Sequence, residues 1–194
     1  MINSATTVNH ERVALLGWGS LLWDESKDFD TQHGPWMDDG PLLKLEFSRI
    51  SKSRNGALTL VIDQVNGAAN QVSYCLSKRT NITDVIADLQ RRENSPTAKH
   101  VGYIDLKTTR EHFADQVAVE SIRTWTKEHD LTGVVWTDLP NNFQGSHGEP
   151  FSVQTAISYL NGLDADIRAK AMEYIIRAPI FVRTPLRESL ENII

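Results

Sequence analysis

Residues 13–23 read Val13-Ala14-Leu15-Leu16-Gly17-Trp18-Gly19-Ser20-Leu21-Leu22-Trp23, an apolar run that leads directly into two glycines and a serine. Residues 13–16 predict a buried β-strand, and the glycines predict a tight turn at its end. Glycines in that position let backbone N–H groups converge on one point, where they can bind a carboxylate or a developing oxyanion. The stretch is therefore either a plain turn between core elements or a binding loop.

Three known glycine motifs do not fit this turn. The third glycine of a dinucleotide-binding G-x-G-x-x-G would fall at Leu22, and a phosphate-binding P-loop would need Gly-Lys-Ser/Thr. A nucleophile elbow places its serine between the glycines, whereas Ser20 follows Gly19 directly. The turn thus predicts neither a nucleotide site of these kinds nor a nucleophile elbow.

The composition indicates one compact domain that spans residues 1–194, because 40% of the residues are hydrophobic and 23% are charged. The 20 basic and 25 acidic residues are spread along the chain, give a net charge of −5 and form no Lys/Arg run. We therefore expect no nucleic acid and no anionic membrane as partner, and we expect small molecules as ligands.

The single cysteine, Cys75, cannot form an internal disulfide, and we expect the protein in a reducing compartment, the cytoplasm. Residues 1–12 carry no basic segment ahead of an apolar one, so no signal peptide is expected. The apolar run 13–23 is too short to span a bilayer. The histidines are scattered without the spacing of metal ligands, so no metal site is expected.

Short segments with strand character fill the first two thirds of the chain, and helical periodicity is concentrated near its end. Strands are predicted at 13–16, 42–48, 57–63, 71–77, 101–107, 117–124 and 133–136. Helices are predicted at 83–93, at 153–163 after Ser152, at 165–178 after Asp164, and from Pro185 after Thr184. This order predicts an α+β fold: a small mixed curled sheet or barrel at about 13–136, flanked by helices, with a helical C-terminal extension at about 141–194.

Glu93 interrupts an apolar pattern. A helical arrangement of residues 82–93 places on one stripe the side chains of Ile82, Val85, Ile86 and Leu89. The next position on that stripe, four residues beyond Leu89, is Glu93. A carboxylate at the end of an apolar face is desolvated, which raises its pKa toward the value that a general base needs near neutral pH. If the helix ends at Arg92 instead, Glu93 is an exposed loop residue.

Donor side chains gather at the end of the strand predicted at 42–48. They are Arg49, Ser51, Lys52 and Arg54. Guanidinium and hydroxyl groups at a strand end can bind an anionic substrate. They are equally compatible with a solvated cationic strand end.

The loop, the glutamate and the strand that follows resemble the γ-glutamylcyclotransferase-like family, which includes glutathione-specific members. Its members open with a strand and a Tyr-Gly-Ser-Asn/Leu loop and carry one glutamate after a Leu-rich helix. The matching residues are Gly17-Trp18-Gly19-Ser20-Leu21, Leu89-Gln90-Arg91-Arg92-Glu93 and Val101-Gly102-Tyr103-Ile104. The resemblance covers about 13–136. Trp18 replaces the loop tyrosine and lacks its hydroxyl, and residues 141–194 have no counterpart in small family members.

The resemblance implies a carbon–nitrogen lyase in which the α-amine of a γ-glutamyl group attacks its own γ-carbonyl, forms 5-oxoproline and releases the free amine. Because the substrate supplies the nucleophile, no cofactor is expected. Glu93 would be the catalytic acid and base. The substrate-binding loop would consist of Trp18, Gly19, Ser20, Leu21 and Leu22, with the N–H groups of 19–22 on the α-carboxylate or the oxyanion. Further substrate contacts are expected from Arg49, Ser51 and Tyr103.

Two other functions are compatible with the same residues. The fold can serve as a non-catalytic module that binds a small molecule, which the change to Trp18 and the C-terminal extension favour. Alternatively, water or another amine attacks the amide, as in a hydrolase or an acyltransferase. The sequence leaves open the oligomeric state and the amine that is released, whether from glutathione, a γ-glutamyl amino acid, a γ-glutamyl amine or a natural product.

Overall fold

A computed structural model describes residues 11–191. Residues 1–10 and 192–194 lie outside the described residues, and with them most of the segment in which no signal peptide is expected. The strands are β1 (Val13–Gly17), β2 (Leu42–Ser51), β3 (Ala57–Ile62), β4 (Ala68–Gln71), β5 (Ser73–Leu76), β6 (Val101–Asp105), β7 (Glu111–His112) and β8 (Gly133–Thr137). The helices are α1 (Lys27–Asp30), α2 (Ile82–Arg92), α3 (Gln116–Glu128), α4 (Phe143–His147), α5 (Val153–Asn161), α6 (Ala165–Arg177) and α7 (Pro185–Glu191).

The α+β class is confirmed, but the described strands form two separate sheets and no closed barrel. One sheet has the order β5-β1-β8-β6-β7, in which β1 is parallel to β8 and the other pairs are antiparallel. The second sheet is antiparallel, with the order β3-β2-β4. The outer edge of β5 pairs with an irregular segment around Met37. The N–H of Met37 donates to the Tyr74 carbonyl over 2.7 Å. This segment covers the outer edge of β5.

The strand predicted at 117–124 is wrong, because the chain forms α3 there. Its β-branched residues favour a strand, but the buried positions Val119, Ile122 and Thr126 recur at helical spacing. Val117 falls on the other side and is exposed. Asp115 begins the helix by accepting the Ala118 N–H over 2.7 Å. Burial of one helical face therefore outweighs the local strand preference.

The other predicted elements are confirmed with small changes at their ends. The strand predicted at 71–77 is divided, since the chain passes from one sheet to the other at Val72. Helix α5 begins with a capping box of Ser152 and Thr155, and α7 begins at Pro185 with Thr184 as its cap. No helix within residues 11–191 combines the length and the apolar character needed to cross a bilayer.

The C-terminal helices share the main hydrophobic core with the strands. Their buried members are Ala156, Leu160, Ala171, Tyr174, Ile175, Leu186 and Leu190. Helix α6 lies against β3, and α7 lies against β2. The fully buried carboxylate of Glu46 on β2 accepts the N–H of Phe47 over 2.6 Å and that of Leu186 over 3.1 Å. The C-terminal extension is therefore part of the same hydrophobic core as the strands.

Gly102 is required by the packing of β6 against β8. A Cβ atom at Gly102 would overlap the indole ring of Trp136, which is fully buried and donates its Nε1–H to Asp138. We expect Gly102→Ala to lower the free energy of unfolding by about 2 kcal/mol, measured by chemical denaturation, because the core must expand. Gly145→Ala is the control, since nothing lies within 4 Å of its added Cβ. Equal stability of the two variants would contradict this packing.

Candidate functional site

One cavity of about 740 Å³ brings together the features that the sequence singled out. It lies between the end of β1, the end of α2, the turn between β2 and β3, and helix α6. Its lining includes Gly17, Trp18, Gly19, Ser20, Leu21, Arg49, Ser51, Lys52, Arg54, Arg92, Glu93, His100, Thr137, Asn142 and Tyr174. A volume of this size suits a small-molecule ligand.

The loop after β1 presents backbone N–H groups that the fold itself does not use. Within residues 11–191, the N–H groups of Gly19, Ser20 and Leu21 donate to no carbonyl or side chain. The N–H of Leu22 differs, because it donates to the Gly19 carbonyl over 3.0 Å. Of the expected binding loop 18–22, residues 18–21 line the cavity and Leu22 does not. The loop's three unpaired N–H groups are suited to bind an anionic oxygen.

Gly17 sets the path of this loop. A Cβ atom at Gly17 would lie 2.8 Å from the ring of Trp36 and 3.0 Å from the Leu22 side chain. The absence of a side chain lets Trp36 cover the outer side of the turn, while Trp18 turns into the main core. The loop is therefore fixed between two tryptophans, and its backbone faces the cavity.

Glu93 follows the last residue of α2 and lines the cavity. The apolar stripe that precedes it is buried, with Val85 and Leu89 fully covered, and Glu93 itself is half-buried. Within the described part of the chain, its carboxylate makes no hydrogen bond and no ion pair. Burial raises the pKa of Glu93, although the charges of Arg92 and Arg54 oppose the shift. The side chain is thus a free carboxylate whose proton affinity exceeds that of an exposed glutamate.

Arg49 and Arg54 place positive charge on the lining of the cavity, and together they form its positive wall. Arg49 is half-buried and donates to the Pro140 carbonyl over 2.6 Å, and burial lowers the pKa of its guanidinium. Arg54 donates to Ser20 Oγ over 3.1 Å. Neither guanidinium lies within 4 Å of a carboxylate among residues 11–191, whereas Arg92 pairs with Asp24 over 3.2 Å. Two half-buried guanidinium groups that form no close ion pair among the described residues favour an anionic ligand.

Tyr103 is the predicted contact that the structure places elsewhere. Its ring packs against a hydrophobic cluster that includes Val13, Leu15 and Leu89. The centre of the ring lies 6.4 Å from that of the His112 ring. Side chains alternate between the two faces of a strand. The sequence predicts strand β6 but not which of its faces meets the cavity, because the twist of the sheet and the pairing with neighbouring strands set this. Tyr103 does not line the cavity, whereas Arg49 and Ser51 do.

Tyr174 is the site residue that the sequence did not reveal. It lies on α6, between Ala171 and Ile175 on the buried face of that helix, so its pattern is that of a core aromatic. Only the packing of α6 against β3 brings its hydroxyl to the cavity.

Within residues 11–191, no three His, Cys, Asp or Glu side chains are grouped so that they could hold a metal ion. Comparisons of the chain with protein-family models, with curated proteins and with solved structures find no match. The interpretation of the site therefore depends on its own residues and geometry.

Proposed function

We propose that the protein is a cofactor-independent lyase of the γ-glutamylcyclotransferase-like kind, which cyclises a γ-glutamyl amide to 5-oxoproline and releases the free amine. The observation that carries the proposal is the meeting of an unpaired, half-buried carboxylate at Glu93 with the unpaired N–H groups of 19–21 in one cavity. A reaction whose nucleophile belongs to the substrate needs this pair of groups and little else.

Proton transfer is the role of Glu93. The carboxylate takes a proton from the substrate's α-ammonium group, and the resulting amine attacks the γ-carbonyl carbon. A carbon–nitrogen bond forms within the ring, and the amide carbon–nitrogen bond breaks. Glu93 passes this proton to the departing nitrogen and then transfers the second proton of the ring nitrogen to the released amine, which leaves as an ammonium ion. The ring nitrogen keeps one proton, and Glu93 is again ionised. The raised pKa of Glu93 supports both transfers, because its proton affinity is closer to that of the groups it exchanges with.

Charge stabilisation is the role of the loop. When the α-amine attacks, the γ-carbonyl oxygen becomes an anion, and the substrate also carries an α-carboxylate. The N–H groups of Gly19, Ser20 and Leu21 can donate to one of these oxygens without reorganising, because the turn already fixes them. The positive wall formed by Arg49 and Arg54 stabilises the second negative charge. Holding the flexible glutamyl chain in a curled conformation lowers the entropic barrier to ring closure.

The experiment that tests the proposal is identification of products from a panel of γ-glutamyl amides in ¹⁸O-labelled water. The panel contains glutathione, a γ-glutamyl amino acid and a γ-glutamyl amine. We expect 5-oxoproline without the ¹⁸O label, together with an equal amount of free amine. Glutamate carrying one ¹⁸O atom would instead establish hydrolysis. Binding of panel members without any product would establish a binding module.

A further inference from the structure

Tyr174 is a nearly buried tyrosine, 8% exposed, whose hydroxyl lies directly above the loop after β1. A Cβ atom at Gly19 would lie 3.1 Å from that hydroxyl, and Ser20 lies beside it. The ring is held by aromatic contacts, with its centroid 6.1 Å from that of Phe47 and 5.6 Å from that of Trp23. The hydroxyl is therefore fixed at the same place as the unpaired loop N–H groups.

Arg54 connects Tyr174 to the loop. Its guanidinium carbon lies 4.2 Å from the centre of the Tyr174 ring, and its Nη2 donates to Ser20 Oγ over 3.1 Å. Because Ser20 Oγ accepts this bond, its own proton is donated to the Tyr174 hydroxyl oxygen, and the Tyr174 proton is left for a ligand. Burial raises the pKa of Tyr174, so its hydroxyl also stays protonated at neutral pH.

This corner of the cavity thus gathers donors and few acceptors. The Tyr174 and Ser20 hydroxyls, the Arg54 guanidinium and the N–H groups of 19–21 surround one region of the lining. The Glu93 carboxylate acts on Tyr174 through its charge but accepts no hydrogen bond from these groups in the described part of the chain. The set of donors is therefore complementary to a further oxygen that carries negative charge. Trp18, in the loop itself, has no hydroxyl to offer, whereas α6 brings one from a distant part of the sequence.

We infer that Tyr174, held in place by Arg54, binds the substrate by donating its hydroxyl proton to the anionic oxygen that the loop N–H groups bind. The inference rests on the proposed function, since that function supplies the oxygen: the α-carboxylate or the γ-carbonyl oxygen of a γ-glutamyl amide. It also gives the C-terminal helices a role in the chemistry, because the site is incomplete without α6.

The test compares Tyr174→Phe with Tyr74→Phe. Each substitution removes one hydroxyl from a tyrosine of similar burial, but Tyr74, 9% exposed, packs against Trp125 away from the cavity. We expect Tyr174→Phe to lower kcat/KM for 5-oxoproline release by about 10- to 100-fold, because it removes one of several donors to the charged oxygen. We also expect it to weaken the binding of 5-oxoproline, measured by calorimetry, with an unchanged melting temperature. Tyr74→Phe should match the wild type in both measurements.

The outcomes separate this inference from the proposed function. An active wild type and an equally active Tyr174→Phe variant would overturn the inference and leave the function intact. A wild type that binds 5-oxoproline but releases none, together with weakened binding in Tyr174→Phe, would support the binding role and overturn the function. A wild type that neither turns over the amides nor binds 5-oxoproline would overturn both. A fall in kcat alone assigns the hydroxyl to the γ-carbonyl oxygen, and a rise in KM assigns it to the α-carboxylate.

Discussion

Glu93→Gln is expected to reduce the release of 5-oxoproline by about 100- to 10,000-fold, the usual contribution of a general acid–base residue. Glutamine has the same shape as glutamate but cannot take up the proton of the α-ammonium group. The fold should persist, because the Glu93 carboxylate makes no hydrogen bond or ion pair among residues 11–191. Its ionised form is moreover disfavoured by burial, so the melting temperature should stay the same or rise.

The matched control is Glu128→Gln. Glu128 is also a glutamate at the C-terminal end of a helix, α3, but it is exposed and lies outside the cavity. We expect wild-type turnover from this control. A Glu93→Gln variant that is folded by circular dichroism and retains more than about a tenth of the wild-type rate would exclude the proton-transfer role.

The pH dependence of the wild type gives an independent measurement of the same group. Because burial raises the pKa of Glu93, the base form is lost at a higher pH than for an exposed glutamate. We expect kcat/KM to fall on the acid side of a midpoint above 4.5, the ordinary value for this carboxyl. A midpoint at or below that value would show that a different group limits the reaction.

Glu46 is expected to make the stability of the protein fall as the pH rises from about 4.5 to about 7. Its side chain is fully buried, and burial raises its pKa from 4.5 to about 7 in the folded chain. Between these two values the folded state keeps the proton and the unfolded state loses it. The unfolded state then binds fewer protons, so the free energy of unfolding decreases with pH, in total by about 3 kcal/mol.

Urea denaturation of the wild type and of Glu46→Gln at pH 4.5 and at pH 8 measures this effect. Glutamine stays neutral throughout, so the difference in unfolding free energy between the two proteins should change by about 3 kcal/mol in favour of the variant at pH 8. The variant loses one of the two bonds that the carboxylate accepts from Phe47 and Leu186, which lowers its stability equally at both pH values. Parallel pH profiles for the two proteins would contradict a carboxylate that is protonated in the folded state.

Local patterns in the sequence were sufficient for the two central features of the site. The strand at 13–16 followed by glycines predicted a tight turn, either a plain turn or a binding loop with converging N–H groups. Periodicity placed Glu93 at the end of an apolar stripe, with an exposed loop residue as the alternative. Both depend on residues that are close in sequence, where hydrophobic period and glycine geometry are strong signals. The structure places both at one cavity, although more than 70 positions separate them in the chain.

Features that depend on long-range packing were not predictable in the same way. The strand expected at 117–124 is a helix whose apolar face meets β2, and the irregular segment near Met37 covers the outer edge of β5. Tyr103 was expected at the site and lies elsewhere, whereas Tyr174 resembled any core aromatic. The direction in which each of these side chains points depends on packing against residues that are distant in sequence.

The source of the nucleophile is tested by comparing a γ-glutamyl amide with the same amide acetylated on its α-nitrogen. The two molecules share the scissile bond and the α-carboxylate, but only the first has an amine that can attack its own γ-carbonyl. We expect the wild-type protein to release 5-oxoproline and free amine from the first and nothing from the second. Equal release of the amine from both would show that the nucleophile comes from outside the substrate and would contradict the account.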